Sequence, residues 1–423
     1  RNDDPPAKWP RGACTMRKPI FVAATRQHVG KTTVSLALMS GLQKRFEKVG
    51  FIKPVGQQHI PVMNSQGKEI RVDKDTQVMK EFFSLGHIEY ADMSPVIIPK
   101  GYTSRYIDSE INSDAQVEAI RRSFAAQSAA SDVVLVEGTG HVGVGSIVEL
   151  SNAKAAALVG ADVVLVTNGG LGKAFDELEM NRQMFANEGV KVRGVVLNKV
   201  MPQKVAQVRE KMGKVMMERW GVPLLGVVSD LPYLGYSSLR DIEHALEGNL
   251  LAGDKCRGLH YGQNDIFLIT TGLRRFLRRA FQQREKLWRR PLFVTHSTRD
   301  DLLLGYLAHH QRKMSQQGGS VSGPDDWAGA MVLSVGASSA FPDLDNNGLA
   351  GNAEPSERIP LSYLTQMAVE TDAPVLVTNL GTLDALERLK TFTAKHNIHD
   401  TRRIEAAVAH YEPEIDFDLL LRE

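Results

Sequence analysis

The sequence predicts an α/β protein whose first part is a doubly wound, mostly parallel sheet and whose second part is a smaller α/β region. Three observations support this prediction. An apolar run at residues 19–23 leads into a loop that ends in Gly30-Lys31-Thr32 and then into a helical pattern. Continuous apolar runs of the kind shown by buried parallel strands recur along the chain. Helical patterns separate these runs, as crossover connections require.

The first part has a regular alternation of strands and helices, which predicts one domain over residues 16–232. The predicted strands lie at residues 19–23, 48–55, 132–136, 161–167, 192–197 and 224–228. The predicted helices lie at residues 34–45, 75–85, 112–130, 175–188 and 204–220. Residues 59–72 form a predicted hairpin around Asn64-Ser65-Gln66-Gly67, a polar turn sequence.

The second part has the same rhythm more weakly, which predicts an α/β domain over residues 233–423 after a linker at 231–236. Its predicted strands lie at residues 266–270, 292–295, 331–335 and 374–378, and its predicted helices at 237–248, 383–396 and 401–410. Polar, Gly/Pro-rich stretches at 314–328 and 338–360 indicate flexible loops. Residues 1–15 are polar and Pro-rich, which predicts a disordered leader.

Composition places the chain among ordinary globular proteins. It has 423 residues, 43% hydrophobic and 24% charged, with a net charge of +2, so no overall field demands nucleic acid or a membrane. The two cysteines, Cys14 and Cys256, indicate a reducing compartment, and no apolar stretch is long enough to span a bilayer. We therefore expect a cytoplasmic location. An organelle lumen stays open as an alternative, because a trimmed transit peptide leaves no trace.

Residues 24–33, the phosphate-binding loop, carry the strongest functional signal. A strand, a small-residue loop ending in Gly-Lys-Thr and a helix place backbone N–H groups where they can bind an anion. Lys31 is placed to reach the outer phosphates of a nucleotide and the Thr32 hydroxyl to bind Mg²⁺. The usual first glycine is replaced by Thr25, and the small residue is Ala24. The first domain is thus predicted to be a P-loop NTPase domain.

Two charged residues are predicted to stand at strand ends near this loop. Lys53 ends the second strand, where it would help Lys31 to neutralise a transferring phosphoryl group and hold an anionic co-substrate. Its alternative is a solvated surface lysine before a turn proline. Glu137 ends the strand at 132–136, where a carboxylate that binds Mg²⁺ belongs.

Three further polar residues are candidates for this site. Asp73 precedes a predicted helix and is interpreted as its N-cap. Asp75 lies in the first turn of that helix and is the better metal ligand of the two. Asn198 follows an apolar strand, where its amide can read the edge of an adenine; its alternative is a turn residue.

Three other patterns are weaker. The spacing Gly138-x-Gly140-x-x-Gly143 matches a dinucleotide fingerprint but does not open a predicted helix. Residues 343–354 match the spacing of a calcium loop but lack its flanking helices, so we interpret them as a polar loop. A basic stripe from Arg274 to Arg290 predicts an amphipathic helix with a solvated face; the alternative is a patch for an acidic partner or nucleic acid.

As a set, these residues resemble those of dethiobiotin synthetase and its relatives, the cobyrinic acid amide synthases and the N-terminal region of long phosphotransacetylases. The resemblance covers residues 17–232. It rests on Ala24 to Thr33, Lys53-Pro54-Val55, Asp75, Glu137-Gly138-Thr139-Gly140 and Leu197-Asn198-Lys199. The second part resembles the small domain that follows this module in those phosphotransacetylases, although its Asp-Arg-Thr-Gly-Gly signature is not present.

The resemblance implies ATP and Mg²⁺ as cofactors, a small anionic substrate and a homodimer. It implies metal binding by Thr32, Asp75 and Glu137, and phosphate and substrate binding by Lys31 and Lys53, the expected catalytic residues. The implied nucleotide-binding residues are Thr25, His28, Val29, Gly30, Lys31, Thr32, Thr33 and Asn198.

Two departures concern the substrate. Gly56-Gln57-Gln58 replaces the small polar residues that follow Lys-Pro-Val in dethiobiotin synthetase, and His141 replaces a glycine. We interpret His141 as a loop residue, with a proton shuttle as the alternative. One hypothesis is then an ATP-dependent ligase or synthetase that activates a carboxylate or carbamate. The other is a nucleotide-sensing regulatory or assembly protein.

Overall fold

The computed structural model describes residues 17–281, 290–321, 326–336 and 361–422. The chain forms two compact units, Arg1–Leu231 with His396–Glu423, and Pro232–Lys395. The sequence-based division after residue 232 assigns residues 396–423 to the second domain, whereas in the structure they pack with the first unit. The predicted leader, the stretch 338–360 and the calcium-like loop lie outside the described residues.

Within the described residues, the first unit contains ten strands and the helices that connect them. Its strands are β1 (Ile20–Ala24), β2 (Val49–Ile52), β3 (Val55–Gly56), β4 (His59–Met63), β5 (Glu69–Asp73), β6 (Val96–Ile97), β7 (Val133–Glu137), β8 (Asp162–Asn168), β9 (Val192–Val200) and β10 (Leu224–Ser229). Its first eight helices are α1 (Lys31–Gln43), α2 (Lys74–Phe82), α3 (Tyr90–Met93), α4 (Tyr102–Ile107), α5 (Ser113–Ala130), α6 (Asn152–Leu158), α7 (Gly172–Asn187) and α8 (Val205–Trp220).

Six of these strands form one parallel sheet in the order β10-β9-β8-β1-β7-β2. The predicted fold class is confirmed, and so is the reason for it: β1, β2 and β7 are buried at every residue because helices cover both faces. In register, Val22 pairs with Glu137 on one side and Ala24 with Val166 on the other. The carboxyl ends of β1, β7, β8 and β9 therefore meet at one edge of the sheet.

The second predicted strand is split in the structure. β2 ends at Ile52, and Val55–Gly56 pairs instead with Val96–Ile97 in a separate two-stranded ladder. Pro54 explains the break, because proline has no N–H to donate to a ladder. The predicted hairpin is confirmed as the antiparallel pair β4 and β5, which continues to Asp73.

The second unit is a smaller α/β unit, as predicted. Its strands are β11 (Ser237–Ser238), β12 (Asn249–Ala252), β13 (His260–Tyr261), β14 (Ile266–Leu268), β15 (Leu292–His296), β16 (Ala330–Ser334) and β17 (Val375–Thr378). Its helices are α9 (Leu239–Ala245), α10 (Leu273–Phe281), α11 (Asp300–Gln316), α12 (Leu361–Glu370) and α13 (Thr382–Thr391). A five-stranded sheet runs β12-β17-β16-β15-β14, with β14 to β17 parallel and β12 antiparallel.

Two predictions for the second unit need correction. The predicted helix 237–248 begins only at Leu239, after β11. The predicted helix 383–396 ends at Thr391, and Phe392 is extended with φ −65° and ψ 131°. Threonine, phenylalanine and asparagine, which are weak helix formers, dominate the residues around this end.

The amphipathic prediction for α10 is confirmed over residues 273–281. Phe276 is buried, and Leu273 and Leu277 pack against the same apolar cluster. The opposite face exposes Arg274, Arg275, Arg278 and Arg279. The basic residues from 282 to 289 lie outside the described residues.

The chain then returns to the first unit with two more helices, α14 (Thr401–Tyr411) and α15 (Phe417–Leu420). We call residues 396–422 the return segment. It packs against α1 and against β10. In the described part of the chain, no helix has the length and apolar character needed to cross a bilayer.

Candidate nucleotide-binding site

The phosphate-binding loop connects β1 to α1 at the carboxyl edge of the sheet. Gly30 is the N-cap of α1 and has a left-handed backbone with φ +93°, a conformation that favours glycine. The N–H groups at the start of α1 are therefore presented at the loop, where an anion can bind.

Asn198 and Lys199, at the end of β9, hold this loop in place. Asn198 Nδ2 donates to the Val29 carbonyl at 2.7 Å, and Lys199 Nζ donates to the His28 carbonyl at 2.9 Å. Asn198 Oδ1 accepts from the Lys199 N–H at 2.7 Å, and the Asn198 side chain is fully buried. The amide therefore fixes the loop; that it also reads adenine stays a prediction.

Glu137 joins the two loop residues that were predicted to bind phosphate and metal. Its Oε1 accepts from Lys31 Nζ at 2.7 Å and from Thr32 Oγ1 at 2.8 Å. The side chain is fully buried, and within the described residues Oε2 has no hydrogen-bond partner. A buried carboxylate oxygen without a partner is costly unless another group binds it.

Lys53 is 5% exposed, so the alternative of a solvated surface lysine is wrong. Its Nζ donates to Asp73 Oδ1 at 2.9 Å and contacts Asp75 Oδ2 directly. The N-cap interpretation of Asp73 is confirmed, because Oδ1 accepts from the Asp75 N–H at 3.0 Å. Asp73 Oδ2 also accepts from the N–H groups of Gln57 and Gln58, at 3.1 and 3.3 Å.

The positive charge of Lys53 and the negative charges of Asp73 and Asp75 stabilise one another. Burial alone would lower the pKa of Lys53, but Asp75 and then Asp73 outweigh it and raise that pKa above its usual range. Burial alone would raise the pKa of Asp75, but Lys53 and then Lys31 outweigh it and hold that pKa well below its usual range. Lys53 and Asp75 are therefore both charged at neutral pH.

The residues present fit a Mg²⁺ ion. Thr32, Asp75 and Glu137 offer hard oxygen donors, and Glu137 Oε2 is a buried oxygen in need of a partner. No group of three His, Cys, Asp or Glu side chains suited to a metal occurs in the described part of the chain. Mg²⁺ sites in nucleotide-binding proteins need only one or two carboxylates, because phosphate and water supply the other ligands.

Thr25 has partners that the sequence did not indicate. Its hydroxyl donates to Thr167 Oγ1 at 2.9 Å and lies 3.2 Å from Glu177 Oε2, on α7. Arg26 Nε lies 3.7 Å from the same carboxylate oxygen. Thr25 thus ties the start of the loop to β8 and α7. Because α7 is predicted only as a crossover helix, no local pattern distinguishes Glu177 from a surface residue.

The glycine-rich segment after β7 is a structured turn, and no helix opens at Gly143. Asn152 holds it: Oδ1 accepts from the Thr139 N–H at 2.8 Å, and Nδ2 donates to the carbonyls of Thr139 and His141, each at 2.7 Å. The next α-helix, α6, begins at Asn152, so the dinucleotide fingerprint is not supported. His141 is exposed, and its Nδ1 accepts from the Gly143 N–H at 3.2 Å, as expected for a loop residue.

A parallel sheet with a glycine-capped phosphate-binding loop between its first strand and first helix defines the P-loop NTPase class of nucleotide-binding proteins. The chain belongs to the AAA domain family (AAA_26), whose sequence profile matches residues 18–238.

Two curated relatives confirm the resemblance seen in the sequence. Phosphate acetyltransferase of Pseudomonas putida is 26% identical over 399 residues, which is 91% of this chain and 49% of the relative. ATP-dependent dethiobiotin synthetase BioD of Xanthomonas axonopodis pv. citri is 26% identical over 216 residues, 50% of this chain and 91% of the relative. The chain therefore spans about half the length of that phosphate acetyltransferase.

Among solved structures, a plasmid partition protein from Borrelia burgdorferi is similar over 50% of this chain and 91% of the partition protein. The two share 15% sequence identity, and the TM-score is 0.32.

Proposed function

We propose that this protein is an ATP- and Mg²⁺-dependent enzyme that activates a carboxylate or carbamate by phosphoryl transfer. The observation that carries the proposal is the junction at Glu137, where one carboxylate oxygen binds both Lys31 and Thr32 while the other is buried without a partner in the described chain. A cation at that oxygen would stand beside the lysine and the hydroxyl that serve phosphate groups.

Each residue of the site then has a role. The loop N–H groups and Lys31 would bind the phosphates, and Thr32, Asp75 and Glu137 would hold Mg²⁺, which would supply positive charge to the transferred group. Lys53 binds the anionic substrate. Asp75 neutralises the charge of Lys53 in the absence of a cation. If Asp75 also bound a cation, it would neutralise Lys53 less, and the lysine could then attract a substrate carboxylate.

A nucleotide-sensing regulatory or assembly role is the second candidate. It is favoured by Gln57 and Gln58, two exposed side chains in the strip where dethiobiotin synthetase has small polar residues.

The resemblance also implies a homodimer, which light scattering on the purified chain would test.

Binding and turnover separate these possibilities. Calorimetry should show ATP binding in the presence of Mg²⁺ that Lys31→Ala abolishes and that the control Lys214→Ala, at an exposed lysine of α8, leaves intact. Unchanged affinity in Lys31→Ala would rule out both candidates. Release of phosphate from ATP should then be measured with a panel of carboxylates and with a panel of amines in the presence of bicarbonate. The rate should rise above background with at least one of these compounds. A background rate with all of them supports the sensing role.

We also propose an acidic protein partner for the exposed face of α10, since the described chain shows no ion pair for Arg274, Arg275, Arg278 or Arg279. A fluorescent poly-glutamate peptide is the probe. Its affinity should fall in Arg275→Glu/Arg279→Glu and stay unchanged in Arg240→Glu/Arg402→Glu, two exposed arginines elsewhere. Tighter binding to duplex DNA than to the peptide would contradict the proposal.

A further inference from the structure

His396, the first residue of the return segment, contacts helix α1. His396 Nε2 lies 3.0 Å from the hydroxyl of Thr33. Thr33 is buried in the first turn of α1, directly after Thr32. The contact joins residues 363 positions apart in the sequence.

The rest of the return segment fixes α1 along its length. Glu412 accepts from Ser40 Oγ at 2.6 Å and contacts the ammonium of Lys44. The Phe417 ring fills the space beside Gly41, where an added Cβ would lie 1.9 Å from the ring. The contact between His396 and Thr33 is therefore part of a packed interface between the return segment and α1.

The return segment also reaches the strand ends that hold the loop. Burial raises the pKa of the Tyr411 hydroxyl to about 12, and the nearby Asn198 side chain, which donates to the Val29 carbonyl, opposes that rise. His410 Nε2 lies 2.9 Å from the Ser229 carbonyl at the end of β10. The return segment therefore contacts both the first turn of α1 and the end of β10.

The hydrogen-bond roles of His396 follow from its surroundings. Burial, and then the charge of Arg403, lower the pKa of His396 to about 4, so the ring is neutral at pH 7 and carries one N–H. Within the described residues Nδ1 is buried without a partner. An unpaired buried acceptor is tolerated better than an unpaired buried N–H, so the proton belongs on Nε2, which donates to Thr33 Oγ1.

This arrangement makes the Thr33 hydroxyl the acceptor of the hydrogen bond from His396. A hydroxyl has one proton to donate and can accept on its lone pairs. With His396 as the donor, the Thr33 proton stays available, and no other partner of this hydroxyl occurs in the described chain. It can therefore donate to an anion bound at the start of α1.

We propose that His396 is a positioning residue of the nucleotide site, which orients the Thr33 hydroxyl to donate a hydrogen bond to a bound phosphate. The inference rests on the proposed binding of ATP. It assigns a part in nucleotide recognition to a histidine far outside the residues that the family profile matches.

The test uses full-length variants and calorimetry with ATP and Mg²⁺. A hydrogen bond of ordinary strength corresponds to roughly fivefold in affinity, so His396→Ala should weaken binding by about 5-fold. His396→Gln, whose amide can donate, should stay within about 2-fold of the parent. The control His399→Ala, at an exposed histidine three positions on, should bind as the parent does.

Thr33→Val supplies the decisive comparison. If His396 acts through Thr33, the double variant His396→Ala/Thr33→Val should bind no more weakly than Thr33→Val alone. The His396 Cε1 proton resonance, assigned by its loss in His396→Gln, should shift on addition of MgATP. This readout serves even if His396→Ala does not fold.

The outcomes distinguish the two proposals. ATP binding that Lys31→Ala leaves unchanged overturns the proposed function together with this inference. Binding that depends on Lys31 but shows additive losses for His396→Ala and Thr33→Val overturns the inference alone, and so does a His396 resonance that MgATP does not move.

Discussion

Nζ of Lys31 and Oε1 of Glu137 lie 2.7 Å apart, and the Glu137 side chain is fully buried. The pair follows from the sheet register, since Val22 pairs with Glu137 and β1 leads directly into the loop that carries Lys31. The loop lysine is therefore oriented by a carboxylate from the neighbouring strand.

Removing Lys31 should lower stability as well as nucleotide binding. Lys31→Ala leaves the Glu137 carboxylate buried with only the Thr32 hydroxyl as partner. Breaking a buried pair in this way costs about 3 kcal/mol. Urea unfolding should show that loss, and Lys31→Ala/Glu137→Gln should recover most of it without recovering ATP binding. A single variant as stable as the parent would contradict this view of the pair.

Gly30→Ala should damage the loop through two effects. The left-handed backbone at φ +93° costs a non-glycine residue about 1 kcal/mol, and the added Cβ would lie 2.2 Å from Asn198 Nδ2. Gly160→Ala is the matched control, because Gly160 is also left-handed, with φ +62°, but has open space around its Cβ. Unfolding free energies should show the larger loss for Gly30→Ala; equal losses would mean that the Asn198 contact is unimportant.

Lys53→Met should destabilise the first unit by about 3–5 kcal/mol, because it leaves two buried carboxylates, Asp73 and Asp75, without their cation. Adding Asp75→Asn should restore part of the loss by removing one of those charges. The comparison is made by urea unfolding at pH 7. If the double variant is less stable than Lys53→Met, Asp75 has another stabilising partner.

Mild acid should loosen the contact between the return segment and α1. The pKa of His396 is about 4 in the folded chain and about 6.5 in an unfolded one. Between those values the unfolded state binds the extra proton, so stability falls as the pH drops below about 6.5, by at most about 3 kcal/mol near pH 4. The charged groups around the ring are Arg403, Asp75, Asp400 and Lys74.

Hydrogen exchange of the α1 amides between pH 5 and pH 7.5, corrected for intrinsic rates, measures this effect locally. A local probe is needed because burial also lowers the pKa of His309 and His310, in the second unit, to about 4. The pH dependence should be smaller in His396→Gln and unchanged in His399→Ala. An identical dependence in all three chains would exclude His396 as its source.

Much of the fold and the centre of the site could be predicted from the sequence because the signals are local. Strands buried on both faces must be apolar throughout, which marks β1 and β7, and residues at their carboxyl ends must share one edge of the sheet. Lys31, Thr32 and Glu137 were brought together on that basis, and the structure joins them.

The remaining contacts depend on packing between distant segments, which no local pattern records. Lys53 could not be distinguished from a surface lysine, because its burial depends on the hairpin of β4 and β5, which delivers Asp73. His396 carried no signal, because it meets Thr33 only after the chain has passed through the second unit.

The return of the chain to α1 has a consequence for synthesis on the ribosome. Helix α1 emerges early, but α14, which packs on it, emerges only after the whole of Pro232–Lys395 has been translated. At about 5–20 residues per second, the wait between the end of α1 and the start of α14 is on the order of 20–70 s. During it the face of α1 around Gly41 has no Phe417 to cover it. A gene fragment cut at the edge of the family match would make that exposure permanent.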